Sequence, residues 1–204
     1  MNHIIAREGW PFVGLAFAFF VIMSAIGLFP LIVMSAALLF FVTWFFRNPE
    51  RALPAGDDAV VSPADGRIIN IEALGGGATK ISIFMSVFNV HVNRIPYDGV
   101  VKKIDYNKGK FLVASKDKAS LENEQNAVTI VDAKGRDIKF VQIAGLVARR
   151  IVCYLKEGDA VTKGERYGMI RFGSRVDIYL PAGFNPHVKL GDKVAGASTI
   201  LGTL

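Results

Sequence analysis

The distribution of apolar and charged positions divides the chain in two. Residues 9–46 contain no charged side chain. One membrane-crossing helix needs about 20 apolar residues, so the run has room for two short ones. Gly27-Leu28-Phe29-Pro30 lies near its middle and is the natural turn. Trp10 and Trp44-Phe45-Phe46 stand at the two ends, where an interfacial aromatic belt belongs, and Arg7 and Arg47 flank the run. A secretory signal peptide fits poorly, because its apolar core spans about 7–15 residues and ends at a small-residue cleavage site. Residues 1–48 are therefore expected to form a hydrophobic helical hairpin, either two short helices or a re-entrant hairpin, that anchors the chain in a membrane. Both flanks then share one side, and the positive-inside rule makes it the cytoplasmic face of the cell (inner) membrane.

Beyond residue 50 the period shortens to that of strands. Short β-branched runs alternate with Gly, Asp, Asn and Pro turns at 67–72, 80–84, 99–105, 127–131, 138–143, 148–155, 167–171 and 175–180. Residues 49–58 read as a linker. Residues 59–204 read as one mainly β domain, a compact sandwich or barrel-like fold. Residues 84–90 are apolar with little alternation, which fits a buried strand or an acyl-chain entry face. Residues 116–126 are polar and read as a loop or a short helical turn.

Two internal echoes refine the architecture. Pro63-Ala64-Asp65-Gly66 resembles Pro96-Tyr97-Asp98-Gly99, and the Lys-x-Gly-Asp-x-Val run at 156–161 recurs at 189–194. Such Gly-Asp turns, in which glycine supplies a positive φ, resemble those of lipoyl carrier domains. No modifiable lysine sits at a hairpin tip, so the likeness is one of architecture.

Charge adds a partner class. The net charge is +6, and Arg7, Glu8, Arg47 and Glu50 cancel within the first fifty residues, so the β domain carries all of it. A basic domain beside an anchor is drawn to anionic lipid. The cations are dispersed and form no nucleic-acid-binding motif, so no nucleic-acid partner is expected. Cys153 is the single cysteine. It excludes an internal disulfide, and with three histidines it argues against a metal site. Within Ile151-Val152-Cys153-Tyr154-Leu155 it reads as a small core residue.

The chemistry centres on the Gly173–Ser174 peptide, between the runs at 167–171 and 175–180. Glycine admits backbone geometries closed to other residues, and the hydroxyl of a following serine can attack the preceding carbonyl when a base is near. An N-to-O shift gives an ester. β-Elimination then leaves dehydroalanine, and hydrolysis converts it to a pyruvoyl group. The products are a large piece, 1–173, and a small one, 174–204.

A lone Gly-Ser is common, and its context makes it informative. Phe45-Phe46-Arg47-Asn48-Pro49-Glu50-Arg51, Ser62-Pro63-Ala64-Asp65-Gly66, Phe84-Met85-Ser86-Val87-Phe88-Asn89-Val90-His91-Val92-Asn93-Arg94, Glu122-Asn123-Glu124-Gln125-Asn126, Ala148-Arg149-Arg150-Ile151 and Arg171-Phe172-Gly173-Ser174-Arg175 occur in that order. With these blocks the chain resembles the phosphatidylserine decarboxylase proenzymes, in particular their short bacterial and archaeal-type forms. The resemblance implies a lyase that converts phosphatidylserine to phosphatidylethanolamine and carbon dioxide. It implies a pyruvoyl group derived from Ser174 that forms a Schiff base with the substrate amine, and needs neither metal nor pyridoxal phosphate. It also implies a heterodimer of the chain's own two fragments, with room for a higher oligomer.

His91 is the best general acid or base, because a histidine titrates near neutrality. The resemblance matches Asp65 to an aspartate that orients this histidine, a recognised carboxylate role. The plain alternative is a Pro-x-Asp-Gly turn, which Asp98 repeats. Many relatives carry a second histidine where this chain has Arg94, so His91 is a candidate for both proton transfers and Arg94 for holding a phosphate or carboxylate. Arg149, Arg150, Arg171 and Arg175 are further candidates for the lipid phosphodiester, which a guanidinium fork fits. A non-enzymatic membrane-anchored adaptor with a lipoyl-like β domain, or a lipid-binding protein, is the alternative, and an uncut chain with a free Ser174 would favour it.

Overall fold

The structure, a computed structural model, describes residues 4–109, 123–145, 150–171 and 174–204. It separates into two compact units, Met1–Glu50 and Arg51–Leu204.

The first unit is a helical pair. A 3-10 turn, Arg7–Gly9, leads into α1, Trp10–Ile26, and α2 follows as Phe29–Phe45. Proline stands in the first turn of each helix, where its missing N–H costs nothing. Gly27 ends α1 in the left-handed region at φ 80°, which a side chain would strain. The chain re-closes below the helices: Ala6 N–H donates to the Phe46 carbonyl and Asn48 N–H to the Ile4 carbonyl. A Cβ at Gly9 would collide with the Phe46 ring, which stacks on Phe12 at 5.3 Å. Both ends of the pair therefore lie together. Leu15, Ile22, Met34 and Phe40 each leave more than half their surface uncovered. A helix apolar on every side belongs in a protein core or in a membrane. The stretch Arg7–Ile26 is long and apolar enough to cross a bilayer by length and composition, and Phe29–Phe45 is a shorter apolar helix.

The second unit is mainly β, as the sequence pattern predicts. Among the described residues its strands are β1 (Ala59–Val61), β2 (Gly66–Ala73), β3 (Thr79–Met85), β4 (Val92–Arg94), β5 (Gly99–Asn107), β6 (Gln125–Val131), β7 (Asp137–Ala144), β8 (Ile151–Cys153), β9 (Ala160–Val161), β10 (Arg166–Ile170), β11 (Ser174–Leu180), β12 (Asn185–Pro186), β13 (Lys193–Val194) and β14 (Ile200–Thr203). One curled sheet has the order β13-β2-β3-β11-β7-β6-β5-β9, and two small ones are β1-β14-β12 and β4-β10-β8. Every pairing is antiparallel. Alternation sends Ile81, Ile83, Val176, Ile178, Ile138 and Phe140 into one core, all fully buried.

The buried strand expected at 84–90 is corrected. β3 stops at Met85, and the Asn89 carboxamide accepts from the Ser86 N–H at 2.9 Å and the Ser86 hydroxyl at 2.8 Å, closing a turn. The strand expected at 148–155 shortens to β8, and residues 148–149 lie outside the described residues. The polar run at 116–126 enters β6 at Gln125, and its first part, 116–122, lies outside the described residues. Residues 51–58 are irregular but tied down: Lys163 Nζ donates to the Gly56 carbonyl at 2.7 Å and Ser198 Oγ to the Ala52 carbonyl at 3.1 Å.

The two echoes build one substructure twice. Lys156 N–H donates to Asp159 Oδ2 and Lys189 N–H to Asp192 Oδ2, with Gly158 and Gly191 both at φ 89°. The first turn exchanges backbone bonds with Val101 and the second with Ile68. Val194 then pairs with Gly66, and Val161 with Gly99. A Cβ at either glycine would collide with the facing strand's carbonyl oxygen, that of Phe84 or Val131. The long sheet is thus pseudo-symmetric: β13-β2-β3 at one end mirrors β9-β5-β6 at the other, with β11 and β7 between.

Candidate active site

Ser174 opens β11, the strand at the centre of the long sheet. It faces Met85 on one side and Ala144 on the other. Its side chain points inward with Val176 and Ile178 and is fully buried. The hydroxyl donates to the Met85 Sδ at 3.3 Å. A thioether is a weak acceptor, so the hydroxyl proton is not committed to a strong partner. Gly173, the other half of the expected cleavage site, lies outside the described residues.

Behind Met85 runs a chain of buried amides. Asn93 Nδ2 donates to the same Sδ at 3.8 Å, Gln142 Nε2 to Asn93 Oδ1 at 2.9 Å, and Asn126 Nδ2 to Gln142 Oε1 at 3.1 Å. Gln142 Nε2 also reaches the Val152 carbonyl at 3.4 Å. Gly168 makes room for it, since a Cβ there would collide with the Val152 carbonyl and crowd the amide. Asn123 Nδ2 caps the Ala144 carbonyl at 2.6 Å, beside Ser174. Buried polar groups are kept only when paired, so this network fixes β4, β6 and β7 around the start of β11. Met85, Asn93 and Asn126 stand in the blocks that carry the resemblance, but sequence reasoning gave them no role, and it did not single out Gln142. The available signal was Gln142, a polar residue inside the otherwise apolar run Phe140-Val141-Gln142-Ile143-Ala144.

Cys153 is half-buried and packs against the core. Burial pushes its thiol up, against smaller opposing contributions from the Leu155 backbone and Asn126. Tyr167 is fully buried edge-on to Phe140, at 4.9 Å between centroids. Its hydroxyl has no hydrogen-bond partner among the described residues, and burial holds its pKa well above the usual phenol range.

His91 is fully buried just before β4. Its Nδ1 lies 3.0 Å from the Asn89 carbonyl. A carbonyl can only accept, so Nδ1 carries a proton and Nε2 is the basic nitrogen of the neutral ring. Its backbone carbonyl accepts from Ile170 N–H, tying it to β10.

Asp65, the residue expected to orient this imidazole, sits at the entrance of β2. Its carboxylate takes Arg51 Nη2 at 2.7 Å and Gly196 N–H at 2.8 Å. Asp98, its counterpart in the repeat, takes Lys163 N–H in the same way at 2.6 Å. Both aspartates tie their turn to the loop that follows the partner Gly-Asp turn. Each turn has one further bond at its proline carbonyl: Arg94 N–H to Pro63 attaches the Asp65 turn to β4, and Val61 N–H to Pro96 attaches the Asp98 turn to β1.

The five arginines separate. Arg175 is turned away from substrate duty. Its guanidinium is 1% exposed, clamps Asp177 with Nε and Nη2 at 2.5 and 2.9 Å, and reaches Ser82 Oγ at 2.9 Å. Arg94 is also buried and donates to the Gly164 carbonyl at 2.9 Å. Arg150 is exposed, and its carbonyl accepts from Arg171 N–H at 3.3 Å. Those two stand next to the segment that leads into Ser174. Arg149 and Glu122 lie outside the described residues.

A family model described as Phosphatidylserine decarboxylase matches residues 38–202. The phosphatidylserine decarboxylase proenzyme of Burkholderia vietnamiensis (strain G4 / LMG 22486) is 52% identical, with 100% of this chain and 99% of the relative covered. The protein of that name from Burkholderia pseudomallei (strain K96243) is 52% identical, with 98% of the relative covered. That from Burkholderia cenocepacia (strain HI2424) is 51% identical, with 99% covered.

Proposed function

The chain belongs to the phosphatidylserine decarboxylase family, and from that premise we propose that it cuts itself between Gly173 and Ser174 and then decarboxylates phosphatidylserine to phosphatidylethanolamine at the new terminus. The observation that carries this reading is the placement of Ser174. It is a wholly buried serine, directly after a glycine, opening the central strand of a chain that matches the family along its length.

The site fits a pyruvoyl group at position 174, which is small and uncharged. The position is dry, its neighbours are the Met85 thioether and Ala144, and the backbone on both sides is held in register. When formed, that group supplies an electrophilic carbonyl that serves as an electron sink for the pair released with carbon dioxide.

The chain's own residues prepare the cut. Met85 orients the hydroxyl without holding its proton. His91, with Nδ1–H fixed on the Asn89 carbonyl, presents Nε2 as the base that accepts this proton. The serine oxygen bonds to the Gly173 carbonyl carbon and the C–N bond breaks, leaving an ester and a protonated Ser174 amine. Loss of the Ser174 Cα proton then expels the Gly173 carboxylate, which is the cut. Water replaces the nitrogen of the resulting dehydroalanine, released as ammonia, with the carbonyl oxygen. Asp65 is a positioning residue in this scheme, acting through the 63–66 turn and its bond to β4. Arg150 and Arg171 remain the arginines placed to meet an anionic group beside Ser174. The helical pair holds the domain at the cytoplasmic face of the membrane, and the fragments 1–173 and 174–204 stay together as a heterodimer.

Intact-mass measurement tests the reading. The purified protein is expected as two pieces, the smaller starting at position 174 with a carbonyl in place of its amine. Ser174→Ala is expected to stay whole and inactive. An uncut chain that decarboxylates phosphatidylserine would refute the scheme.

A further inference from the structure

A cleft of about 630 Å³ opens at the β13 end of the long sheet, lined by Gly66, Arg67, Phe84, Ser86, Asn89, Lys193 and Val194. None of these residues is acidic. Arg67 and Lys193 are direct neighbours across the β2–β13 ladder, and both are exposed. Arg67 Nη1 is steadied by the Gly191 carbonyl at 3.0 Å, which leaves the rest of its donor fork available. Ser86 and Asn89 add a hydroxyl and an amide at the other wall.

The pseudo-symmetry supplies a control within the molecule. In the second copy of the substructure, the positions equivalent to Arg67 and Lys193 are Val100 and Ala160, paired in the same register. The scaffold therefore forms without cations there, so stability of the turn does not account for Arg67 and Lys193. The two copies also differ in their surroundings. Arg67 pairs with Phe84 on β3, and the next residue of β3, Met85, faces Ser174. The cleft thus begins two strand spacings, about 10 Å, from the reactive position. Arg67 and Phe84 share the sheet face of Arg175, opposite the Ser174 side chain, so a headgroup held there reaches position 174 around the end of β3, past the 86–89 turn.

We propose that Arg67 and Lys193 form the phosphodiester-binding site for the phospholipid headgroup, with the Asn89 amide nitrogen as a neutral donor on the facing wall. This rests on the decarboxylase reading above and names where its substrate is held. Two exposed apolar side chains identify the source of the phosphate as a lipid. Phe88, 69% exposed, lies in the turn that carries Ser86 and Asn89, and Leu190, 67% exposed, lies in the turn bonded to Arg67. Both stand where acyl chains or interfacial lipid would meet the rim.

The test is steady-state kinetics with dihexanoyl phosphatidylserine, kept soluble so that attraction to a charged vesicle plays no part. Arg67→Gln and Lys193→Gln are each expected to raise KM about tenfold, the scale of one lost charge-assisted hydrogen bond, with kcat within about twofold. Lys189→Gln, an exposed cation of the neighbouring turn outside the cleft, is the control and is expected to change neither. Glycerophosphoserine is expected to compete with substrate on the wild type and to lose that potency on the double variant, whereas inorganic phosphate at equal ionic strength competes weakly on both. An unchanged KM in the double variant overturns the proposal, as does inorganic phosphate competing as well as glycerophosphoserine. Release of the 174–204 fragment is scored on the same samples. Variants that still cut but lose affinity support the cleft, and a wild type that neither cuts nor turns over shows instead that the underlying reading is wrong.

Discussion

Two aspartates doing the same work in two copies of one turn allow a single side chain to be tested against its own duplicate. Asp65 and Asp98 each accept a backbone N–H from the loop beyond the partner Gly-Asp turn, so each contributes a similar hydrogen bond to the scaffold. The Asp65 turn is bonded to the strand that follows His91, whereas the equivalent bond of the Asp98 turn goes to β1. Asp65→Asn is therefore expected to slow self-cleavage, followed as the appearance of the 174–204 fragment, while Asp98→Asn changes thermal stability without changing that rate. Equal cleavage rates in the two variants would remove Asp65 from the machinery. At this scale the sequence was only partly legible. Ser174, His91 and Arg94 stand out in the sequence as candidates, but nothing in the order of residues told Arg175, sealed against Asp177, from Arg150, which is exposed. The amides Asn93 and Asn126 look like loop polars until strands from three parts of the chain converge on them.

The element that matters most is β11, which is covered on both faces and bonded on both edges. Its odd face carries an ion pair in place of apolar contacts. Removing one member of a buried pair costs about 3–5 kcal/mol when the other charge is left unpaired, and replacing both by apolar groups is often neutral. Here Asp177 keeps a longer contact with Lys80 Nζ at 3.8 Å, so the loss falls below that range. In a Ser174→Ala background, which keeps the chain whole, Arg175→Met is expected to lower the urea midpoint sharply. Adding Asp177→Leu is expected to recover most of the loss, and failure to recover would mean that the pair also carries a specific contact. Strands such as β2, β3, β6 and β7 were readable because each is long enough to show alternation. β1, β9, β12 and β13 were not, since a two- or three-residue strand has no period, and they exist because tertiary pairing captures them. The Gly-Asp turns were readable as turns, but their pairing into a repeated substructure required the sheet order.

At the level of the whole molecule, the proposed cut falls at an interior seam. The stretch after it supplies β11 to the middle of the long sheet, β13 to its end, and β14 to the middle of the β1-β14-β12 sheet. The pieces are therefore expected to co-elute in native size-exclusion chromatography and to part only in denaturant. Separation without denaturant would contradict the placement of β11. The position of that strand has a kinetic consequence as well. The precursor folds with β11 attached, as a first-order search by one chain. Once severed and unfolded, the same polypeptide must regain its central strand by collision between two solutes, so recovery becomes dependent on dilution. The mature enzyme would thus be an object that its own two parts assemble slowly or not at all at low concentration, and its persistence would reflect the barrier to leaving the folded state.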